Sequence, residues 1–190
     1  TTDAANIAEE LFGKIVDILE VNTTIDQYES FELAMKAANE AAKKLSPKLS
    51  ETPEIVIAYV DFNHLYLTQS GEAEAYLLRD DSLSQISEPG RSNEDLFGYI
   101  LSGNVEVQDS IVLGSTRLLR AITTTQFTDI FQRSDFDESV SQLRHSLMNG
   151  TEEDLLVTVI GIGKKSNSGP AAFLSKMVSK ISTEKKGTVS

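Results

Sequence analysis

Cysteine is absent from the 190 residues, and this absence excludes several kinds of site. Disulfides, thiolate metal sites and cysteine nucleophiles all require that residue. The sequence also has no run of about 18 apolar residues, so no membrane-spanning helix is predicted, and no signal-peptide pattern is present. Because a chain of this length buries roughly 70% of its unfolded surface, it needs no covalent or metal support. We therefore expect a globular protein with an apolar core, located in the cytoplasm.

Acidic residues outnumber basic ones, and the net charge is −12. The excess lies in residues 1–163, because Lys164–Ser190 holds six lysines and one acid. Such an acidic domain repels phosphate backbones, so nucleic-acid binding is not expected. We divide the chain into a domain over 1–163 and a basic linker or tail over 164–190. The tail suggests proximity to a membrane, as in the cytosolic part of a larger membrane-tethered protein. Because residue 1 is threonine and not methionine, we expect the sequence to be a piece of a longer chain.

Several segments carry apolar residues at helical spacing. One stripe predicts a helix over 3–20, and a second helix is expected to end at Ser46-Pro47, because the residue before a proline avoids helical ψ. Asp135 and Glu138 form a capping-box pattern at the start of a further helix. Other helices are predicted at 116–122 and 125–131, and a small basic amphipathic one at 171–181.

Strands are predicted mainly between Glu54 and Ser87, where turns recur about ten residues apart. We expect an antiparallel β-meander there, with sequential pairing of neighbouring strands. Its first strand, 55–60, is continuously apolar and is predicted to be central in its sheet. Further strands are predicted at 109–113 and 155–162, the latter as a last central strand, with a strand pair at 99–107.

Few residues suggest nucleophilic or metal chemistry. His64 and His145 are the only histidines, and each is interpreted as a turn or solvent-facing residue, although a site of one histidine with carboxylates stays open. A catalytic Thr1 is disfavoured because a helix follows it at once, whereas that chemistry needs a strand. The acid pairs Asp80-Asp81 and Glu94-Asp95 are typical of solvated turns. No P-loop and no nucleophile-elbow motif occurs.

The stretch from Tyr59 to Asp80 resembles the metal-dependent Ser/Thr protein phosphatases, the PPM or type 2C family. Gly71-Glu72-Ala73-Glu74-Ala75-Tyr76-Leu77 stands where that family has Gly-Asp-Ser-Arg-Ala-Tyr-Leu. The order of helices and strands over residues 3–163 is similar too. The resemblance implies an α+β fold, a four-layer α-β-β-α sandwich with two antiparallel sheets. The strands that open the family's fold are expected to be missing here.

The resemblance also implies a site for two manganese or magnesium ions, held mainly by aspartates of three motifs. The first, Asp-Gly-x-Gly-Gly, is absent. At the second, Thr116 stands in the place of the metal-binding aspartate and Arg117 in that of the following glycine. At the third, Glu153-Asp154 replaces Asp-Asn, and these two carboxylates are the only metal ligands that we predict, for a vestigial site. An arginine beside a dication site opposes metal binding by charge repulsion.

We therefore expect a catalytically inactive phosphatase-like domain, a binding or regulatory module in signalling. Its expected partner is another protein or another domain of the same parent chain. No cofactor is expected. The alternative is a metal-dependent Ser/Thr phosphatase with an altered metal site, which would use Mn²⁺ or Mg²⁺. A structural or oligomerisation domain stays open as a third interpretation.

Overall fold

The computed structural model describes residues 2–22, 25–45, 53–88, 95–115, 118–133, 135–150, 155–164 and 174–182. The chain divides into two compact units. The first comprises Thr1–Gly71 and Gly90–Gly103, and the second comprises Glu72–Pro89 and Asn104–Ser190. The predicted division into a domain over 1–163 and a tail over 164–190 stays a prediction. In the described ranges, no helix is both long and apolar enough to cross a membrane.

Two long helices begin the first unit, as predicted. Helix α1 spans Thr2–Val21 and helix α2 spans Gln27–Leu45. The start of α2 is fixed by Asp26, whose Oδ1 accepts a hydrogen bond from the Tyr28 amide at 2.9 Å. This contact satisfies one of the amides that lack a partner in a first helical turn.

The sheet of the first unit has three strands in the order β1-β2-β5. Strand β1 spans Ile55–Asp61, β2 spans His64–Ser70 and β5 spans Leu101–Asn104. The first two form an antiparallel hairpin. Among the described strands, β1 lies at an edge of this sheet and β2 is central, which contradicts the prediction that 55–60 is a central strand. Of the strand pair predicted over 99–107, only β5 forms.

The core of the first unit lies between the two helices and the hairpin. Phe31 of α2 is completely buried, and its ring stacks on Tyr59 with centroids 5.9 Å apart. Tyr66 completes the aromatic group, 5.9 Å from Phe31 and 6.0 Å from Tyr59. The apolar faces of α1 and α2 pack with these rings, contributing Leu11, Ile15, Ala34, Met35 and Ala38.

The second unit contains a five-stranded antiparallel sheet in the order β4-β3-β6-β7-β8. Its strands are β3 (Glu74–Arg79), β4 (Ser82–Gln85), β6 (Ser110–Gly114), β7 (Leu156–Lys164) and β8 (Leu174–Ser182). Strand β3 pairs with β4 and β6 and not with β2. The continuous meander predicted over Glu54–Ser87 is therefore wrong, because it consists of two hairpins that belong to different sheets.

The helix predicted at 171–181 is also wrong, since Leu174–Ser182 is strand β8. It pairs along the whole of β7, from Leu156↔Ser182 to Lys164↔Leu174. The spacing of its apolar residues fits a helix, but a nine-residue ladder with β7 supplies backbone hydrogen bonds that local periodicity does not reveal. Strand β7 is central, as predicted, but it is not the last strand.

Three helices belong to the second unit: α3 (Leu118–Ala121), α4 (Thr124–Arg133) and α5 (Phe136–Gly150). The cap predicted at Asp135 is confirmed, because its Oδ1 accepts a hydrogen bond from the Glu138 amide at 3.0 Å. Buried residues of the helices and the sheet form one core, among them Phe127, Leu143, Leu147, Val112, Val157 and Val159. The fold thus has two antiparallel sheets, each packed with helices, as the sequence predicted.

Candidate functional site

The predicted metal motifs adjoin the ends of β6 and β7 in the second unit. Ser115 follows β6, and its amide donates to the Leu156 carbonyl oxygen at 2.9 Å. The Leu156 amide donates in turn to Ser115 Oγ at 3.2 Å. Thr116-Arg117 continues the chain after Ser115, and Glu153-Asp154 lies just before Leu155. These four predicted residues lie outside the described residues, so their roles stay predictions.

Glu74 is a half-buried carboxylate at the start of β3. Its Oε2 accepts hydrogen bonds from Tyr76 Oη at 2.9 Å and from the Leu118 amide, the first of α3, at 3.3 Å. Burial raises the pKa of Tyr76, and the hydrogen bond to Glu74 raises it further. Glu74 was not among the site residues predicted from the sequence. The available signal was its departure from the phosphatase pattern, in which an arginine stands at this position.

Asp109 is a second buried carboxylate, with 3% of its side chain exposed. Arg79 forms a bidentate ion pair with Asp109. Its Nε donates to Oδ1 at 3.0 Å and its Nη2 donates to Oδ2 at 2.6 Å. The Glu106 amide also donates to Oδ2 at 2.7 Å. The hydrogen bond to Asp109 raises the pKa of Arg79. Asp109 therefore anchors the turn before β6, with both carboxylate oxygens occupied.

The remaining candidates belong to different elements of the two units. His64 is exposed at the start of β2, and His145 is exposed on α5, where its Nε2 lies 3.1 Å from Asn149 Nδ2. Asp80-Asp81 forms the exposed turn between β3 and β4, with φ of 47° and 62°. Asp95 makes an ion pair with Lys43 at 3.0 Å.

Within the described part of the chain, no three histidine, aspartate or glutamate side chains converge as a metal site would require. Thr1 and Glu94 lie outside the described residues, so the threonine-nucleophile hypothesis has no structural test. The arrangement that the structure does show is two carboxylates, Glu74 and Asp109, each engaged by donors of the protein itself.

No protein-family model matches this sequence, and no curated protein matches it. Solved structures do match the fold. One is the catalytic domain of the serine/threonine protein phosphatase PstP in complex with two manganese ions. It has a TM-score of 0.63 and 17% identity, with 82% of this chain and 79% of that chain covered. The chain has the fold of the PPM-type Ser/Thr phosphatases.

Two further structures support this phosphatase fold. The serine/threonine phosphatase PstP/Ppp of Mycobacterium tuberculosis has a TM-score of 0.58 at 20% identity, covering 80% of each chain. PppA of Pseudomonas aeruginosa, described as a key regulatory component of T6SS, has a TM-score of 0.56 at 16% identity. It covers 78% of this chain and 77% of its own. Identities this low establish the fold alone. The stretch on which the resemblance was based, Tyr59 to Asp80, runs from β1 to the turn after β3.

Proposed function

We propose that this chain is a phosphatase-like domain without metal-dependent hydrolase activity, and that it serves as a binding or regulatory module. Its ligand in this proposal is a partner protein or another domain of the parent chain. The proposed setting is the cytosolic side of a membrane-tethered protein. The strongly basic composition of Lys164–Ser190 motivates that setting.

The observation that carries the proposal is the chemistry of the residues that follow β6. This strand pairs with β3 on one side and β7 on the other, so its end is fixed by two neighbours. The sequence then continues as Ser115-Thr116-Arg117 and provides no carboxylate. Divalent manganese and magnesium prefer anionic oxygen ligands, whereas a hydroxyl is neutral and a guanidinium repels them.

The two engaged carboxylates that the structure describes do not fit as replacements for the missing ligand. Asp109 precedes β6, at the opposite end of the strand from Ser115, and both its oxygens are occupied by Arg79 and the Glu106 amide. Glu74 Oε2 already accepts two hydrogen bonds. Glu153 and Asp154 remain as the candidate ligands, and two carboxylates are too few for a pair of ions. In the resembling phosphatases the ions activate the attacking water and neutralise the phosphoryl group, so their loss removes most of the catalysis.

The alternative is a metal-dependent Ser/Thr phosphatase with an altered metal site. It is favoured by one specific similarity, since the PstP structure of the same fold holds two manganese ions. In that case Glu153 and Asp154 would be necessary ligands.

Hydrolysis of p-nitrophenyl phosphate with and without Mn²⁺ distinguishes the two functions. We expect the 190-residue chain to show no Mn²⁺-dependent turnover above a protein-free blank. The decisive variant is Glu153→Ala, with Glu152→Ala as the matched control because it removes an adjacent carboxylate. Mn²⁺-dependent turnover that is lost in Glu153→Ala and kept in Glu152→Ala would overturn the proposal and establish the alternative.

A further inference from the structure

Helix α5 ends in the dipeptide Asn149-Gly150, which is chemically reactive. It is the only place in the sequence where glycine follows asparagine, although the chain has eight asparagines. Because glycine has no Cβ, its backbone amide approaches the side chain of the preceding residue more freely than the amide of any other residue does. The nitrogen of Gly150 can therefore attack the side-chain carbonyl carbon of Asn149, which is the first step of deamidation.

The position of Asn149 in the helix favours this reaction. Its side chain is exposed, and α5 ends one residue later, at Gly150. The attack needs a backbone conformation at Asn149 that is not helical. The last turn of a helix reaches such conformations at a lower free-energy cost than the interior of the helix does. The folded protein therefore leaves this asparagine able to react.

His145 lies one turn before Asn149, on the same face of α5. Its Nε2 is 3.1 Å from Asn149 Nδ2, the nitrogen that leaves in deamidation. An amide nitrogen must gain a proton before it can leave, and a protonated imidazole presents an N–H at each ring nitrogen. The contact therefore places a proton donor beside the leaving group.

We propose that Asn149 deamidates in the folded protein through a cyclic imide, with His145 as the general acid. The Gly150 nitrogen forms a bond to Asn149 Cγ and gives its proton to water. The Cγ–Nδ2 bond breaks, and Nδ2 leaves as ammonia with a proton from His145 Nε2, which water then restores. One water molecule opens the imide at either of its two carbonyl carbons and yields aspartate or isoaspartate. Water is the only molecule consumed.

The modification changes the end of α5 in two ways. Both products carry a negative charge at the C-terminal end of the helix, where the helix dipole is also negative. Isoaspartate also lengthens the main chain by one methylene group, so the last turn loses regular helical geometry. This turn contains Leu147, which is completely buried in the core of the second unit. Deamidation therefore loosens the end of α5, shortly before Glu153-Asp154 in the chain. This inference goes beyond the binding role proposed above and does not depend on it.

A purely structural role for the contact between His145 and Asn149 predicts the opposite effect on the rate. Side chains four residues apart on a helix stabilise it when they interact. A contact that only stabilised the last turn would hold Asn149 in the helical conformation and slow its deamidation. The removal of His145 therefore separates the two roles, because it slows the reaction if His145 donates a proton and speeds it if His145 only stabilises the helix.

The test incubates the complete 190-residue chain at neutral pH and follows deamidation by mass spectrometry of its tryptic peptides. Deamidation raises the mass of a peptide by about one dalton, and chromatography against synthetic standards separates isoaspartate from aspartate. A sample taken at the start corrects for deamidation during digestion. We expect Asn149 to yield both products. Asn63 is the internal control, because it is exposed in the turn between β1 and β2 but is followed by His64. It should react at least about tenfold more slowly than Asn149.

Three variants assign the parts of the reaction. Gly150→Ala should slow deamidation of Asn149 about tenfold, because the new Cβ hinders the attack. His145→Gln should slow it roughly tenfold, since a glutamine amide is not a proton donor of useful acidity. The matched control is Arg144→Gln, which removes a positive charge from the neighbouring exposed residue and should react as the unmodified chain does. In urea, where α5 is unfolded, His145→Gln and the unmodified chain should react at equal rates.

Four results would overturn the inference. The first is an unmodified Asn149 after a period in which the urea-unfolded chain deamidates completely. The second is aspartate as the only product, because direct hydrolysis without an imide gives no isoaspartate. The third is an equal or faster reaction in His145→Gln, and the fourth is the same slowing by this substitution in urea. The phosphatase assay is independent of all four, since turnover with Mn²⁺ would contradict the proposed loss of catalysis and leave the chemistry of Asn149 unchanged.

Discussion

Asn39 is a buried polar residue of α2 whose removal should cost much of the stability of the first unit. Its side chain is clamped to the backbone of Phe97. Asn39 Nδ2 donates to the Phe97 carbonyl oxygen at 3.0 Å, and the Phe97 amide donates to Asn39 Oδ1 at 2.9 Å. Asn39 is 6% exposed and Phe97 is 4% exposed, so water does not replace the lost partners.

The substitution Asn39→Ala leaves one buried N–H and one buried C=O without partners. Each such group costs about 1–3 kcal/mol, and alanine returns about 0.6 kcal/mol through its better helix propensity. We expect a net loss of about 1.5–5 kcal/mol, which is a large part of the free energy of unfolding of a typical domain. Lys44→Ala is the matched control on the exposed face of the same helix and should change stability by less than about 0.5 kcal/mol.

Urea unfolding followed by circular dichroism measures the loss, and amide hydrogen exchange at Phe97 localises it. The exchange measurement is needed because a chain with two compact units need not unfold in one step. We expect the Phe97 amide to lose protection in Asn39→Ala and to keep it in Lys44→Ala. A loss of stability below about 1 kcal/mol, with Phe97 still protected, would refute the assignment of Asn39 as a structural clamp.

Three further predictions concern other parts of the chain. In Gly161→Ala, the new Cβ would come within 2.6 Å of Phe136 Cε2, so we expect a loss of about 1–3 kcal/mol. Adding Phe136→Leu should restore most of it in urea unfolding, and an undiminished cost there would contradict the steric explanation. The raised pKa of Tyr76 means that its neutral form is favoured in the folded state, so its contribution is complete below the unfolded pKa of about 10 and is lost as pH rises above it. Between pH 9 and pH 11, the free energy of unfolding measured in urea should fall less in Tyr76→Phe than in the unmodified chain. Equal falls would contradict this. If the basic tail contacts membranes, the chain will co-sediment with anionic vesicles and not with neutral ones. The double substitution Lys185→Glu and Lys186→Glu will then reduce binding to the anionic vesicles. Equal binding to both kinds of vesicle would contradict the membrane proposal.

The helices of this fold could be predicted from the sequence because their signals are local. The apolar stripes of α1 and α2, and the cap at Asp135, each depend on residues within a few turns of one another. The error at 171–181 has the same origin. The spacing of its apolar residues satisfies a helical period, and the partner that makes it a strand, β7, is distant in sequence.

Strand pairing was predicted less well, because the choice of partner is not local. The turn at Ser70 to Glu72 separates two hairpins that belong to different sheets, yet it has the same Gly-containing pattern as a turn within one sheet. Strand β1 is continuously apolar, which is typical of a central strand, but it lies at an edge among the described strands. Its residues Ile55, Ile57 and Tyr59 pack against the core of the first unit, which accounts for part of that composition.

The candidate site was predicted only through its motifs. The resemblance correctly gave the fold, because Tyr59 to Asp80 lies in strands β1 to β3 and their turns. For Glu74 it gave only an indirect signal, a glutamate where the family has arginine, and not the hydrogen bonds that its carboxylate accepts from Tyr76 and Leu118. Such a role depends on where β3 and α3 meet, and no sequence spacing encodes it.

The central claim, that this phosphatase fold has no two-metal centre, is tested most directly by counting bound Mn²⁺. An electron paramagnetic resonance titration of the 190-residue chain measures free Mn²⁺ against total Mn²⁺. We expect micromolar Mn²⁺ to stay free, with less than one ion bound per chain. Two ions bound per chain at micromolar concentration, with loss of both in Glu153→Ala, would contradict it.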